Sequence, residues 1–176
     1  MAHKTFIKSY TRRDILKAGA ASAIAVNFLP SRVFGANERL AVAGIGVGGK
    51  GGSDINGAGK IGDVVALCDV DFNRGGGAAK NFPKAKKFTD FREMLDKMGK
   101  EIDACTVSTP DHNHAPAAIR AMQQGIHVYC QKPLTHTVWE ARQMRLEATK
   151  NKVCTQMGNQ GTASTGMREG VEALWA

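Results

Sequence analysis

From residue 40 onward, short apolar runs alternate with segments whose apolar residues recur every three or four positions. The short runs have the length of buried strands, and the periodic segments are typical of helices. The predicted strands are 40–45, 63–71, 85–90, 102–110, 126–130 and 152–158, and the predicted helices are 73–82, 90–98, 114–125 and 137–151. Strands separated by such helices pair in parallel through right-handed crossovers. The pattern therefore predicts an α/β fold with a doubly wound parallel sheet.

The first predicted strand runs into a glycine-rich turn that is followed by a helix-start signal, Ser53-Asp54. A G-x-G-x-x-G motif fits the turn in two registers, Gly44-Gly46-Gly49 and Gly46-Gly48-Gly51. The second is favoured because it leaves a full strand before the turn. Such glycines permit a tight turn, close approach of the backbone to a pyrophosphate, and packing of helix on strand. The motif is weak evidence by itself, but it predicts a Rossmann-type dinucleotide site.

A carboxylate at the end of the second strand strengthens this prediction. Asp69 follows Gly46 by 23 positions, where an acid accepts the ribose hydroxyls of the adenosine half. It would also repel a 2′-phosphate, so NAD is favoured over NADP. Arg74 keeps NADP open, because arginine is the usual partner of that phosphate. The alternative role for Asp69 is that of a turn residue.

Polar clusters end three later strands, at 109–114, 131–133 and 158–161. Ligands of doubly wound sheets bind beyond the carboxyl ends of the strands, so Lys132 is expected to project into the same crevice as the dinucleotide. The alternative is an ordinary surface lysine. Asp111, His112 and His114 have spacings that fit no strong metal-ligand motif, and no metal site is predicted.

The N-terminal region carries most of the excess positive charge. The formal net charge is +8, of which residues 1–36 supply +5, and no basic stripe or RNA-binding aromatic pattern accompanies it, which argues against a nucleic-acid partner. The segment from Thr11 to Lys17 precedes a short apolar stretch, 18–29, which is too short for a permanent membrane span. It resembles a twin-arginine export signal, with Ile15 where phenylalanine is usual. An amphipathic N-terminal helix is the alternative.

The four cysteines have no C-x-x-C pair and lie in or beside apolar runs. They are expected to be buried apolar residues, with neither a disulfide framework nor a zinc site.

Taken together, the glycine turn, "CDVD", "STPDHNHAP", "HVYCQKPLT" and "QMGNQGTAS" resemble the nucleotide-binding domain of the Gfo/Idh/MocA family, which includes glucose–fructose oxidoreductase and inositol dehydrogenase. The resemblance covers about residues 38–165. It implies an NAD(P)-dependent oxidoreductase of sugars or polyols, periplasmic or otherwise exported. It also implies a second, substrate-binding domain, absent or truncated here, through which family members form homo-oligomers.

The family's Glu-Lys-Pro motif matches Gln131-Lys132-Pro133, which implies that Lys132 is catalytic and hydrogen-bonds the substrate hydroxyl. Gln131 departs from the family's glutamate and loses its negative charge. The resemblance also places Thr109, Pro110 and His114 at the nicotinamide side of the cofactor, and it implies that Pro133 shapes the turn there as a further cofactor-binding residue.

The predicted organisation is an export signal at 1–36, a Rossmann domain at 37–160, and at 161–176 the start of a connection to a missing domain. Two rival functions remain open. One is an NAD-binding module without activity of its own, and the other is an NAD-dependent glycoside hydrolase of the same family.

Overall fold

The computed structural model describes residues 39–176, and the predicted export signal lies outside them. Six strands form one sheet in the order β3-β2-β1-β4-β5-β6, and every neighbouring pair is parallel. They are β1 (Leu40–Ile45), β2 (Gly62–Cys68), β3 (Lys86–Phe88), β4 (Ala104–Val107), β5 (His127–Gln131) and β6 (Thr155–Gly158). The strand order reverses between β1 and β4, and ligands of such sheets bind at this point. The prediction of a doubly wound sheet is confirmed.

Helices connect the strands and continue after the last one. They are α1 (Lys50–Ala58), α2 (Phe72–Asn81), α3 (Phe91–Met98), α4 (His114–Gln123), α5 (Val138–Asn151), α6 (Gln160–Ala163) and α7 (Thr165–Trp175). Side chains cap four of them in the way that local sequence favours. At α7 the cap is Ser164, whose side chain accepts from the amide of Met167. Asp71 and Asp90 accept from backbone amides at the starts of α2 and α3, and Thr137 and Glu140 form a capping box at α5. Helix α1 is different, because Gly49 caps it without a side-chain hydrogen bond.

The two faces of the sheet carry separate apolar clusters because alternate strand residues point to opposite sides. Ala43 and Ile45 face the larger cluster, which is built with helices α3, α4 and α5. Val42 and Leu67 face the smaller cluster, which is built with α1 and α2. On β5 the odd-numbered residues His127, Tyr129 and Gln131 therefore face the α1 side of the sheet.

Several predicted boundaries were wrong by a few residues. The predicted strand 102–110 narrows to Ala104–Val107, and the predicted helix start at Ser53-Asp54 lies inside α1, which begins at Lys50. Before β6, Lys152 has a φ of 55° and ends α5, so the strand begins only at Thr155. Cys68, Cys105 and Cys130 are buried as expected, but Cys154 is exposed, since it lies beside the edge strand β6.

Candidate functional site

The turn between β1 and α1 brings two glycines into contact with other backbone. Gly46 has a φ of 75°, and a Cβ there would lie 2.8 Å from the amide nitrogen of Thr109. A Cβ on Gly51 would lie 1.8 Å from the carbonyl oxygen of Gly46. Only glycine lets helix and turn approach this closely. Because β1 ends at Ile45, the geometry fits the register Gly46-Gly48-Gly51.

Asp69 fixes the same turn from the neighbouring strand. Its Oδ2 accepts hydrogen bonds from the amides of Val47, at 2.8 Å, and Gly48, at 3.0 Å. Its Oδ1 accepts from the amide of Asp71 at 3.0 Å. Two carboxylate oxygens offer about four acceptor positions, so this carboxylate retains capacity for a ligand hydroxyl.

A cleft of about 530 Å³ opens at the carboxyl ends of β1, β2 and β4. Of the predicted cofactor-binding residues, Gly46, Gly48, Asp69, Thr109 and Pro110 line it, and Gly51 lies buried behind the turn. Arg74 lines it as well. The sequence reading missed other lining residues, among them Ser108, Val70, Thr89 and Phe91. These residues follow strands β4, β2 and β3 in the sequence, and that position is the feature from which their place in the cleft could have been predicted.

The loop after β4 contains a polar atom that is unpaired within the described residues. The Oγ1 of Thr109 is buried and has no hydrogen-bond partner there. Unpaired buried hydroxyls are costly and usually mark a missing partner. The start of α1 has no side-chain cap, and its backbone amides attract anionic groups. The unpaired hydroxyl of Thr109 and these amides suit the binding of a dinucleotide in the cleft.

His114 turns inward from the cleft. It is 1% exposed, and its ring nitrogens Nδ1 and Nε2 each lie 2.7 Å from a carbonyl oxygen, of Pro133 and Thr109 respectively. The ring therefore links the loop after β4 to the loop after β5. This contact gives His114 a role in holding the two loops, and a direct cofactor contact for it stays a prediction.

Lys132 stands at the carboxyl end of β5. Its side chain is exposed, whereas Gln131 is buried with 4% exposure. The backbone amide of Lys132 donates to the Oε1 of Gln131 at 3.2 Å, and the Lys132–Pro133 peptide bond is cis. The exposed ammonium group of Lys132 thus belongs to a residue whose backbone amide is held by Gln131.

Burial changes the chemistry of one thiol in the cleft wall. Desolvation, reinforced by the charges of Asp90, Asp69 and Glu93, raises the pKa of Cys68 to about 12. Burial likewise raises the pKa values of Cys105 and Cys130 to about 12. These thiols stay protonated and unreactive at neutral pH.

Residues 39–176 contain neither a metal-ligating cluster nor a membrane-spanning helix. Within that range no group of three or more His, Cys, Asp or Glu side chains is arranged to hold a metal ion. None of its helices is long and apolar enough to cross a membrane.

The parallel sheet, the glycine turn and the acid at the end of β2 define an NAD-binding Rossmann domain. The family model described as "oxidoreductase family, NAD-binding Rossmann fold" (GFO_IDH_MocA) matches residues 39–159. The chain therefore belongs to the Gfo/Idh/MocA family.

Similar proteins include dehydrogenases of cyclic polyols. Inositol 2-dehydrogenase of Rubrobacter xylanophilus is 31% identical over 117 residues, which are 62% of this chain and 32% of that protein. GenD2 from gentamicin A biosynthesis, crystallised with NAD, is 30% identical with a TM-score of 0.60, over 69% of this chain and 34% of that one. The myo-inositol 2-dehydrogenase of Lactobacillus plantarum shares the fold, with 24% identity, a TM-score of 0.70, and coverage of 78% and 41%. The matches span about a third of the curated relatives' length.

Proposed function

We propose that this protein is an NAD-dependent oxidoreductase that moves a hydride between the nicotinamide and a carbon bearing a hydroxyl group in a sugar or polyol. The observation that carries the proposal is the arrangement of Asp69 and Lys132 at the carboxyl ends of β2 and β5. They lie on either side of the reversal in strand order between β1 and β4. The relatives named for inositol support a polyol as the substrate class.

Three groups of this chain would hold the cofactor. The turn at Gly46 and Gly48 and the start of α1 would face the pyrophosphate, with backbone amides as donors. Asp69 would accept from the adenosine ribose and disfavour a 2′-phosphate, which makes NAD the preferred form. Arg74 in the same cleft is the side chain that would serve NADP.

The residues after β4 and β5 would serve the reacting end. Bound NAD supplies the hydride acceptor. Thr109 and Pro110 would flank the nicotinamide, and His114 would hold their loop against Pro133. The ammonium group of Lys132 would donate a hydrogen bond to the oxygen of the substrate hydroxyl and stabilise the alkoxide that develops as hydride leaves. The hydroxyl proton would pass to a base of the predicted substrate-binding domain.

The test is NADH formation by the purified protein with a panel of inositols and sugars. We expect activity where this domain is joined to the predicted substrate-binding domain, and none in the 176-residue chain alone. In the active protein, Lys132→Ala should lose at least about 100-fold, and Lys150→Ala, a control whose lysine is well exposed, should change nothing. Cleavage of a glycoside without net NADH formation would indicate the hydrolase. NAD binding with neither product would leave the binding module.

We further propose that the chain is exported through a twin-arginine signal at Thr11–Lys17 and that the full-length protein can form homo-oligomers through its second domain. The support is the sequence pattern and the resemblance to exported family members. A fusion of residues 1–36 to a reporter that is active only after export tests the signal. Arg12→Lys/Arg13→Lys should abolish export, and unchanged export in that variant would contradict the proposal.

A further inference from the structure

A buried carboxylate joins three elements behind the proposed site. Asp54 lies on α1, and its side chain is only 5% exposed. Its Oδ1 accepts from the Nζ of Lys50 at 2.6 Å, and its Oδ2 accepts from the Oγ of Ser108 at 2.8 Å and the Nε2 of Gln131 at 2.9 Å. One side chain therefore connects the helix after the glycine turn to the ends of β4 and β5.

The contact with Asp54 decides which way the Gln131 carboxamide points. An ionised carboxylate only accepts hydrogen bonds, so the amide nitrogen of Gln131 must face it. The amide oxygen is then left to accept from the backbone nitrogen of Lys132, as the structure shows at 3.2 Å. Asp54 thus acts on the backbone of Lys132 through Gln131.

The neighbouring strand leaves room for this carboxamide. Gly158 on β6 is the register partner of Gln131. A Cβ on Gly158 would lie 2.7 Å from the Nε2 of Gln131 and 2.8 Å from the hydroxyl oxygen of Tyr129. The position of the Gln131 side chain is therefore built into the sheet.

The charges of the cluster explain why position 131 carries glutamine. Asp54 is its one anion and Lys50 its one direct cationic partner among the described residues. Ser108 and Gln131 are neutral hydrogen-bond donors to this anion. Tyr129 contributes a nearby ionisable hydroxyl, and the ammonium group of Lys132 is exposed. A glutamate at 131 would put a second carboxylate at hydrogen-bond distance from the first, where like charges repel strongly.

We propose that Asp54 is a positioning residue for Lys132, acting from α1 through the carboxamide of Gln131 on the backbone of Lys132. The part concerning catalysis rests on the proposed function. The geometric part, in which Asp54 orients Gln131 and Gln131 holds the Lys132 backbone, stands on the hydrogen bonds alone.

Isosteric substitutions in the 176-residue chain test it. Gln131→Glu should lower the Tm at pH 7.5 by about 4 °C or more. The loss should be smaller at pH 5, because the folded variant binds a proton between the two carboxylates more tightly than the unfolded chain does, and stability then falls as pH rises. The exchange variant Asp54→Asn/Gln131→Glu carries the amide at position 54 and the carboxylate at position 131, so that one donor again faces one acceptor. It should recover at least half of the fall in Tm that Gln131→Glu causes. Gln123→Glu, at an exposed position, is the control and should leave the Tm nearly unchanged at both pH values.

A spectroscopic readout separates positioning from stability. Lysines are ¹³C-methylated, and the Lys132 resonance is assigned with Lys132→Arg. Asp54→Asn should shift this resonance, and the exchange variant should return it toward its wild-type position. Neither readout needs cofactor or substrate, so an intact cluster in an inactive protein would contradict only the proposed function.

Two results would overturn the inference. One is an exchange variant that is no more stable than Gln131→Glu alone or, where Gln131→Glu does not fold, an exchange variant that does not fold either. The other is a Lys132 resonance that Asp54→Asn leaves unmoved.

Discussion

The carboxylate of Asp69 accepts a hydrogen bond from the backbone amide of Gly48 at 3.0 Å, across 21 positions of sequence. The same oxygen also accepts from Val47. One side chain at the end of β2 thereby holds the turn that would carry the pyrophosphate, while its remaining acceptor capacity faces the cleft. The cofactor selectivity proposed for Asp69 would therefore depend on the same side chain that shapes the turn.

Removing this carboxylate should therefore destabilise the protein even without cofactor. Asp69→Ala leaves three backbone amides without their acceptor, and we expect the free energy of unfolding to fall by about 1–3 kcal/mol. Urea unfolding measures the change. Asp96→Ala is the control, since its exposed ion pair with Arg120 should contribute about 0–1 kcal/mol. Equal effects of the two substitutions would show that Asp69 does not hold the turn.

Two glycines of α1 should respond to alanine in opposite directions. At Gly51 a Cβ would collide with the carbonyl oxygen of Gly46, whereas at Gly57 it would meet nothing within 4 Å. Gly51→Ala should cost about 3 kcal/mol or more, and Gly57→Ala should be neutral or stabilise by up to about 1 kcal/mol. Thermal unfolding compares them, and a tolerated Gly51→Ala would contradict the close contact of helix and turn.

The unpaired hydroxyl of Thr109 gives a test that separates binding from folding. Thr106 and Thr109 both have a buried Oγ1 without a partner among the described residues, and only Thr109 lines the proposed cofactor cleft. Valine at either position removes an unsatisfied group, so neither substitution should lower the Tm. Thr109→Val should weaken NAD binding about 5- to 10-fold, the loss of about one hydrogen bond, and Thr106→Val should not. Equal affinities would exclude the hydroxyl as a cofactor contact.

Thiol labelling should distinguish one cysteine from three. Cys154 is exposed, while burial raises the pKa of Cys68, Cys105 and Cys130 to about 12. At pH 8 only about one in ten thousand of these buried thiols is ionised. A disulfide reagent should modify one thiol rapidly and the others only on unfolding. Rapid modification of two or more native thiols would contradict the packing.

The same thiols predict a loss of stability in alkali. Burial raises their pKa values above that of an ordinary thiol, so the unfolded chain releases protons that the folded chain retains. The stabilising contribution is complete below pH 9 and declines as pH rises toward 12. Replacing Cys105 with alanine should flatten this decline in a pH series of unfolding measurements. A decline of unchanged steepness would assign the effect to other groups.

The sequence predicted the sheet because its central strands are apolar runs separated by helices. Gly46 and Asp69 line one cleft because parallel strands bring their carboxyl ends to one edge, whereas Lys132, expected in the same crevice, is not among the residues that line it. It could not predict the pairing of Asp54 with Gln131, since the two are 77 positions apart and the acid reads locally as a helix-start residue. The inward turn of His114 depends on carbonyl groups of two separate loops. Cys154 was assigned to the interior because its apolar neighbours do not reveal that β6 is an edge strand.

The most direct test of the account is a calorimetric titration of the 176-residue chain with NAD and, separately, NADP, with circular dichroism on the same sample. We predict one NAD site with a dissociation constant on the order of 1–100 μM and weaker binding of NADP, because the carboxylate of Asp69 would repel a 2′-phosphate on the ribose. A chain that is folded by circular dichroism and binds neither nucleotide would contradict the account.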